Sequence, residues 1–149
     1  MTETLPVPPV RLLVLNGPNL NMLGKREPEV YGSASLDEIM DALVKFGAGN
    51  GVEIRTAQSN SEGDLVDAMQ SSVDWATGVI VNAGGYSHTS VALRDAISSV
   101  PIPVVEVHIS NIAARENFRH QSMLSAVCAG VIYGFGHVGY RLAVQSFLS

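Results

Sequence analysis

Seven side chains able to move a proton or hold an anion fall just beyond apolar runs in this chain: Lys25, Arg26, Tyr31, Glu106, His108, Arg115 and Arg119. The run VRLLVL (Val10 to Leu15) breaks into NGPNLNMLGKREPEVYG, a long polar loop that holds a Lys-Arg pair and a tyrosine. The run around VVEVH carries Glu106 and His108 two residues apart. That spacing puts carboxylate and imidazole on one face of a strand, close enough to pair. An ordinary tyrosine, with a pKa near 10, is too weakly acidic to act as a base at neutral pH, but a neighbouring guanidinium favours its phenolate. A histidine held by a carboxylate can donate a proton. Arginine, Asn82 and backbone N–H groups beyond a strand suit a small anionic, hydroxylated molecule. Together these groups point to acid/base elimination or isomerisation of a hydroxy acid.

Each residue also has a plainer reading. Asn16 and Asn82 at strand ends could be turn residues. His88 alone is a polar residue of the ordinary kind, and an Arg pair is commonly solvated or in an interface. His120 and His137 fall at no metal spacing and read as structural or surface residues. Convergence at one edge of a sheet is what sets the group apart.

The elements that must position these residues alternate. SLDEIMDALVKFGAG opens on a capping box, Ser35-x-x-Glu38, and places Leu36, Ile39, Met40, Leu43 and Val44 at helical spacing. VEIRTAQ alternates as a second strand, and SEGDLVDAMQSSV reads as the next helix. GVIVNA is a buried strand ending at Asn82, with TSVALRDAISS as the helix after it. IPVVEVHI is the fourth strand, residues 115–124 read as helical with Arg115 and Arg119 on one face, AGVIYG is the fifth strand, and GYRLAVQSFL is a closing helix. Five strands alternating with helices predict an α/β fold: a flavodoxin-like, doubly wound parallel sheet covered on both faces, with ligands bound beyond the carboxyl ends of the strands. Residues 1–9, acidic and Pro-rich, read as a flexible arm, and 10–149 as one catalytic domain.

Composition narrows the classes further. The 149 residues are 46% hydrophobic and 15% charged, which fits a compact domain. Nine Lys+Arg and a net charge of −5 argue against nucleic acid as a partner. No apolar run reaches the ~18 residues of a membrane span. With no apolar leader in the first residues, the expected setting is the cytoplasm. The single Cys128, within LSAVCAGVI, reads as a small buried residue rather than a reactive thiol. GFGHVG (Gly134, Gly136, Gly139) matches the G-x-G-x-x-G dinucleotide fingerprint, but no acidic residue follows it. It reads as a tight strand-to-helix turn, and no NAD site is expected. The first loop has no Ser or Thr from Asn16 to Gly24 to hold a flavin phosphate, and Asn82 stands where a phosphoacceptor receiver needs an Asp.

LNGPNLNMLGKREPEVYG, QSNSEGDLVDAM, VNAGGYSHTSVALRDAI, VEVHISNIAARENFR and GVIYGFGHVGYRLAV resemble, block by block and in order, the type II 3-dehydroquinate dehydratases. The resemblance covers nearly the whole chain beyond the N-terminal arm. It implies anti dehydration of 3-dehydroquinate to 3-dehydroshikimate through an enolate, a step of the shikimate pathway, with neither metal nor cofactor. By the same resemblance Tyr31 is the base, Arg26 lowers its pKa, and Asn16 helps position a water that stabilises the enolate oxygen. His108, oriented by Glu106, protonates the departing hydroxyl. Asn82 and the backbone of Ile109 and Ser110 would hold the carboxylate, His88 and Arg119 the ring hydroxyls, and Arg115 would support the site. Asp95 would reach in from a neighbouring subunit of a dodecamer built of trimers. The loop from Leu20 to Tyr31 corresponds to the family's lid, with Gly24 as hinge. Lys25 varies in the family, and Ser61 stands where it often has His. A Schiff-base route like that of the unrelated type I dehydratases would have to use Lys25 in the open loop or Lys45 within a helix. A non-catalytic flavodoxin-like binding module is the alternative outside enzymes; it predicts loss of Tyr31, Arg26 or His108, and all three are present.

Overall fold

Three of the five apolar runs become strands that bury both faces or all but one end, and the alternation of their side chains divides the core in two. The structure is a computed structural model that describes residues 9–25 and 27–149. Strands β1 (Val10–Asn16), β2 (Val52–Gln58), β3 (Gly78–Asn82), β4 (Val104–His108) and β5 (Gly130–Tyr133) form one parallel sheet in the order β2-β1-β3-β4-β5. Besides a single-turn helix α1 (Pro28–Tyr31), the helices are α2 (Leu36–Ala48), α3 (Glu62–Ser71), α4 (Val91–Ser99) and α5 (Val138–Ser146). Leu12 and Val14 of β1 join the core under α2 and α5, while Leu15 joins the core under α3 and α4. This period of two is what a sheet covered on both faces requires.

Helix starts follow local chemistry. Ser35 Oγ accepts the Glu38 N–H at 3.1 Å while the Glu38 carboxylate accepts the Ser35 N–H, so the capping box forms. Ser61 and Ser90 cap α3 and α4 through the N–H groups of Asp64 and Leu93. The expected dinucleotide-like glycines form the turn from β5 into α5, with Gly134 and Gly136 at φ of 96° and 62°.

Three readings of the sequence are corrected or fall outside the described chain. Residues 115–124 are not an α-helix: the segment holds one 3-10 turn, Asn117–Arg119, and is flanked by two more at Ile112–Ala114 and Ser125–Val127. Side chains there satisfy the backbone in non-helical ways, since Asn111 Oδ1 accepts the Ala113 N–H and the His120 imidazole bonds the Arg115 carbonyl at 2.7 Å. The loop expected from Leu20 to Tyr31 contains a 3-10 turn at Leu20–Met22 as well as α1. Of the expected N-terminal arm, all but Pro9 lies outside the described residues, as does Arg26.

Order β2-β1-β3 means that the chain leaves β1 toward one edge and returns to build the other half of the sheet on its opposite side. The crevice this opens above β1 and β3 is the general ligand position in such sheets. Asn16 and Asn82 are register partners there, and Gly17 donates its N–H to the Asn82 carbonyl at 2.7 Å. A Cβ on Gly17 would lie 2.5 Å from the Ala83 carbonyl oxygen, so only glycine lets these two backbones approach so closely. Gly17→Ala is therefore expected to destabilise the fold by about 1–3 kcal/mol. Thermal unfolding at fixed protein concentration tests this, with Gly85→Ala, where nothing lies within 4 Å, as the control. Equal melting temperatures for the two variants would refute the close-approach argument.

Candidate active site

Above the carboxyl ends of β1, β3 and β4 lies a cleft of about 100 Å3. The β1 loop supplies Pro18, Asn19, Leu20 and Leu23, and α1 supplies Tyr31. Beyond β3 come Asn82, Gly84, Gly85 and His88; beyond β4 come His108, Ile109, Ser110, Ile112, Arg115 and Arg119. Eight of the residues assigned to the site by sequence thus line one cleft, drawn from positions 31 to 119.

Tyr31 packs its ring against the core on the α2/α5 side. Its hydroxyl accepts a hydrogen bond from Arg115 Nη1 at 3.0 Å, and the guanidinium carbon sits 5.4 Å from the ring centroid. Arg115 also donates to Ser110 Oγ at 3.1 Å. Partial burial works against the Arg115 charge, but the Tyr31 hydroxyl, Glu116 and Glu27 more than offset it, and the guanidinium is held above its ordinary pKa. The cation expected at the tyrosine was Arg26, with Arg115 in support; the structure brings Arg115 itself onto the phenol oxygen.

Glu106 and His108 point to the other face of the sheet, as their spacing requires. Glu106 is completely buried, and the His108 imidazole Nε2 contacts its Oε2 directly. Ser125 Oγ donates to Oε1 at 2.7 Å, and the Ser122 hydroxyl adds a further bond. Burial alone would push this carboxyl up, but the bonds from His108, Ser122 and Ser125 outweigh it and hold Glu106 below the usual carboxylate range. An ionised Glu106 accepts from Nε2–H, which fixes the imidazole tautomer and ring orientation.

The His88 ring stacks on that of His108, with centroids 6.1 Å apart. Its Nδ1–H donates to the Gln121 carbonyl at 2.7 Å. Burial, aided by the neighbouring His108 and Arg119, lowers the His88 pKa despite that bond. With Nδ1–H given to Gln121, the neutral form of His88 turns Nε2 outward as an acceptor. Arg119 is aimed by Glu116, 2.8 Å from its Nε. At the floor, Asn82 Oδ1 accepts the Gly84 N–H and Asn82 Nδ2 donates to Tyr140.

Two expected residues lie outside the cleft lining. Asn16 lies beneath the cleft lining, fully buried, with its Oδ1 accepting from the Tyr140 hydroxyl. Asp95 is exposed on α4 and does not line the cleft of its own chain. Sequence reading did not identify Tyr140, Ser122 or Ser125. The first was readable in principle, because Asn16 and Asn82 share the face on which α5 packs. The serines come from an irregular segment with no periodic signal. Cys128 is half-buried, and burial pushes its thiol up to about 12, which leaves it without nucleophilic character at neutral pH. Among the described residues no group of three or more His, Cys, Asp or Glu could hold a metal ion, and no helix is long and apolar enough to cross a membrane.

A phenol contacted by a guanidinium, a carboxylate-held imidazole and a ring of anion-binding donors form acid/base machinery around a polar small molecule. Comparison with known proteins agrees with this geometry. Residues 10–148 match the family model described as dehydroquinase class II. The chain is 57% identical to a 3-dehydroquinate dehydratase of an Exiguobacterium species, over 93% of this chain and 94% of the relative. It is 56% identical to that of Mesorhizobium japonicum, over 91% and 94%. Crystal structures of type II dehydroquinases from Butyrivibrio crossotus and Propionibacterium acnes superpose with TM-scores of 0.92 and 0.89, at 40% and 42% identity. They cover 94% and 92% of this chain, and 98% and 94% of theirs. From its first strand to its last helix, this chain belongs to the class II dehydroquinase family.

Proposed function

We propose that this cleft dehydrates 3-dehydroquinate to 3-dehydroshikimate by anti elimination, as a hydro-lyase of the shikimate pathway. The observation that carries the reading is the separation of base and acid. Tyr31, bonded to Arg115, packs with one face of the sheet, while the Glu106–His108 pair belongs to the other. A substrate held between them meets the two groups from opposite sides, which is what anti elimination needs.

In this mechanism tyrosinate 31, stabilised by Arg115 and by Arg26, removes a proton from the carbon next to the ketone. The C–H electron pair moves into an enolate, whose oxygen bonds a water positioned by Asn16. The enolate then re-forms the ketone and expels the hydroxyl, which His108 protonates, so that water leaves. With Nε2 committed to Glu106, the delivered proton comes from Nδ1. Ile109, Ser110 and Asn82 hold the carboxylate, and His88 and Arg119 the ring hydroxyls. The loop from Leu20 to Tyr31 closes over the substrate, excluding water. Asp95 on its exposed helix face completes the site of a neighbouring subunit in a dodecamer built of trimers, working in the cytoplasm. The non-catalytic module is disfavoured, because Tyr31 and His108 both stand in the cleft with their partners.

Turnover is read by the near-ultraviolet absorbance of the conjugated product. Tyr31→Phe is expected to lower kcat by about 100-fold to 10,000-fold, with KM changed little. An unchanged rate would discard the tyrosinate, and no turnover by well-folded wild type would discard the reaction. A second prediction concerns Glu106. Its folded pKa is depressed, so its contribution to stability is complete above the ordinary carboxylate range and is lost as pH falls through the folded value. Ser125→Ala removes a 2.7 Å donor and raises that folded value, so the acid-dependent loss should be smaller than in wild type and complete at a higher pH. Melting temperatures across the acidic range test this; profiles that differ only by a constant offset would show that Ser125 does not hold the charge.

A further inference from the structure

We infer that Tyr140 is a positioning residue, whose buried hydroxyl, held between Asn82 and Asn16, relays the orientation of the Asn82 amide to Asn16 and so sets which group Asn16 offers to the reaction. The argument begins with a donor that cannot rotate. The backbone N–H of Gly84 bonds Asn82 Oδ1 at 3.2 Å, which pins the amide oxygen toward the loop and turns Nδ2 inward. Asn82 Nδ2 then donates to the Tyr140 oxygen at 2.9 Å. A phenol has one proton to give, and Tyr140 gives it to Asn16 Oδ1 at 2.6 Å. Asn16 therefore presents its amide nitrogen on the remaining side as donor only. Its partner there among the described residues is the Met40 thioether, 3.4 Å away, a weak acceptor.

All three members are almost completely shielded from solvent, so water cannot substitute for a missing link. Burial also holds the Tyr140 phenol above its ordinary pKa, so that its proton is present throughout the working range. A strong N–H donor backed only by sulfur is costly in a buried site. Strand parity explains the assembly: Asn16 and Asn82 are register partners on the face that α5 covers, and Tyr140 drops its hydroxyl between them. The result is a directed chain from the β3 loop to the residue assigned to the enolate water. Tyr140 also lines a second cavity of about 220 Å3 with Ala34, Ile39 and Leu43.

The inference rests on the reaction proposed above, and the test separates the two. Wild type, Tyr140→Phe, Asn16→Ala and the double variant are assayed with 3-dehydroquinate, together with a protein carrying 4-aminophenylalanine at position 140. Tyr140→Phe should lower kcat by about 10-fold to 100-fold, with KM within a few-fold. In the Asn16→Ala background the same change should have little further effect, because the chain then has nothing to orient. The amino group, a donor to Asn16 Oδ1, should restore part of kcat. Wild-type kcat in Tyr140→Phe, or a loss undiminished when Asn16 is absent, would overturn the inference and leave the reaction standing. Should Tyr140→Phe fail to fold, the amino variant is read in the same way, in both backgrounds. A wild type that does not turn over the substrate sinks the reaction and this inference with it.

Discussion

The parallel pairing of β1 with β3 is the constraint from which the rest of this molecule follows. It sets Asn16 beside Asn82, it forces Gly17 against Ala83, and it marks the place where the chain splits to opposite edges of the sheet. A crevice at that point is a consequence of topology and would exist whatever the side chains. Residues become a site because parallel strands end together at one rim. Asn16, Asn82 and His108 occupy strand termini of three successive neighbours.

Strand parity then divides the labour. Even-numbered ends of β1 and β3 face α2 and α5, where a hydroxyl from α5 ties the two amides together. The corresponding positions of β4 face the opposite layer, where Glu106 sits without water contact. A buried carboxylate is normally a liability. Here three hydrogen-bond donors surround it, so the charge survives burial and holds the imidazole in one orientation. The histidine side of the cleft is thereby built on strands and buried hydroxyls. The tyrosine side is carried by a single-turn helix in a loop, and its phenol is held through Arg115, a side chain from another irregular segment.

How much of this could be read in the sequence depends on the distance over which each feature is determined. The capping box at Ser35, the five strands and the shared face of Glu106 and His108 are set by neighbours within a few positions, and all are found as expected. The turn at Gly134 and Gly136 was also readable, since a dinucleotide site needs an acidic partner that the chain lacks. The segment 115–124 misled because Arg115 and Arg119 have helical spacing, whereas Asn111 and His120 bind the backbone in ways that periodicity does not register. Tyr140 and Ser125 act on residues 124 and 19 positions away, and nothing local announces such contacts. The same limit explains Asn16: its strand-end position was legible, but its place beneath the cleft depends on α5 covering it.

These distances also bear on how the site can work. The loop that carries Tyr31 is anchored in the core at Leu20 and Leu23, and beyond these anchors the single turn α1 packs the tyrosine ring there and meets Arg115 through one side chain. A base mounted in this way can withdraw and return without disturbing the sheet. The imidazole cannot, because moving it would strand the Glu106 charge in the interior at a cost of several kcal/mol. Nor can the two amides, because each is oriented by the next. For the elimination proposed above, this places the buried wall of Asn82 and His108 on one side of the substrate and the less buried Tyr31 on the other, so that any motion turnover requires falls on α1 rather than on the imidazole.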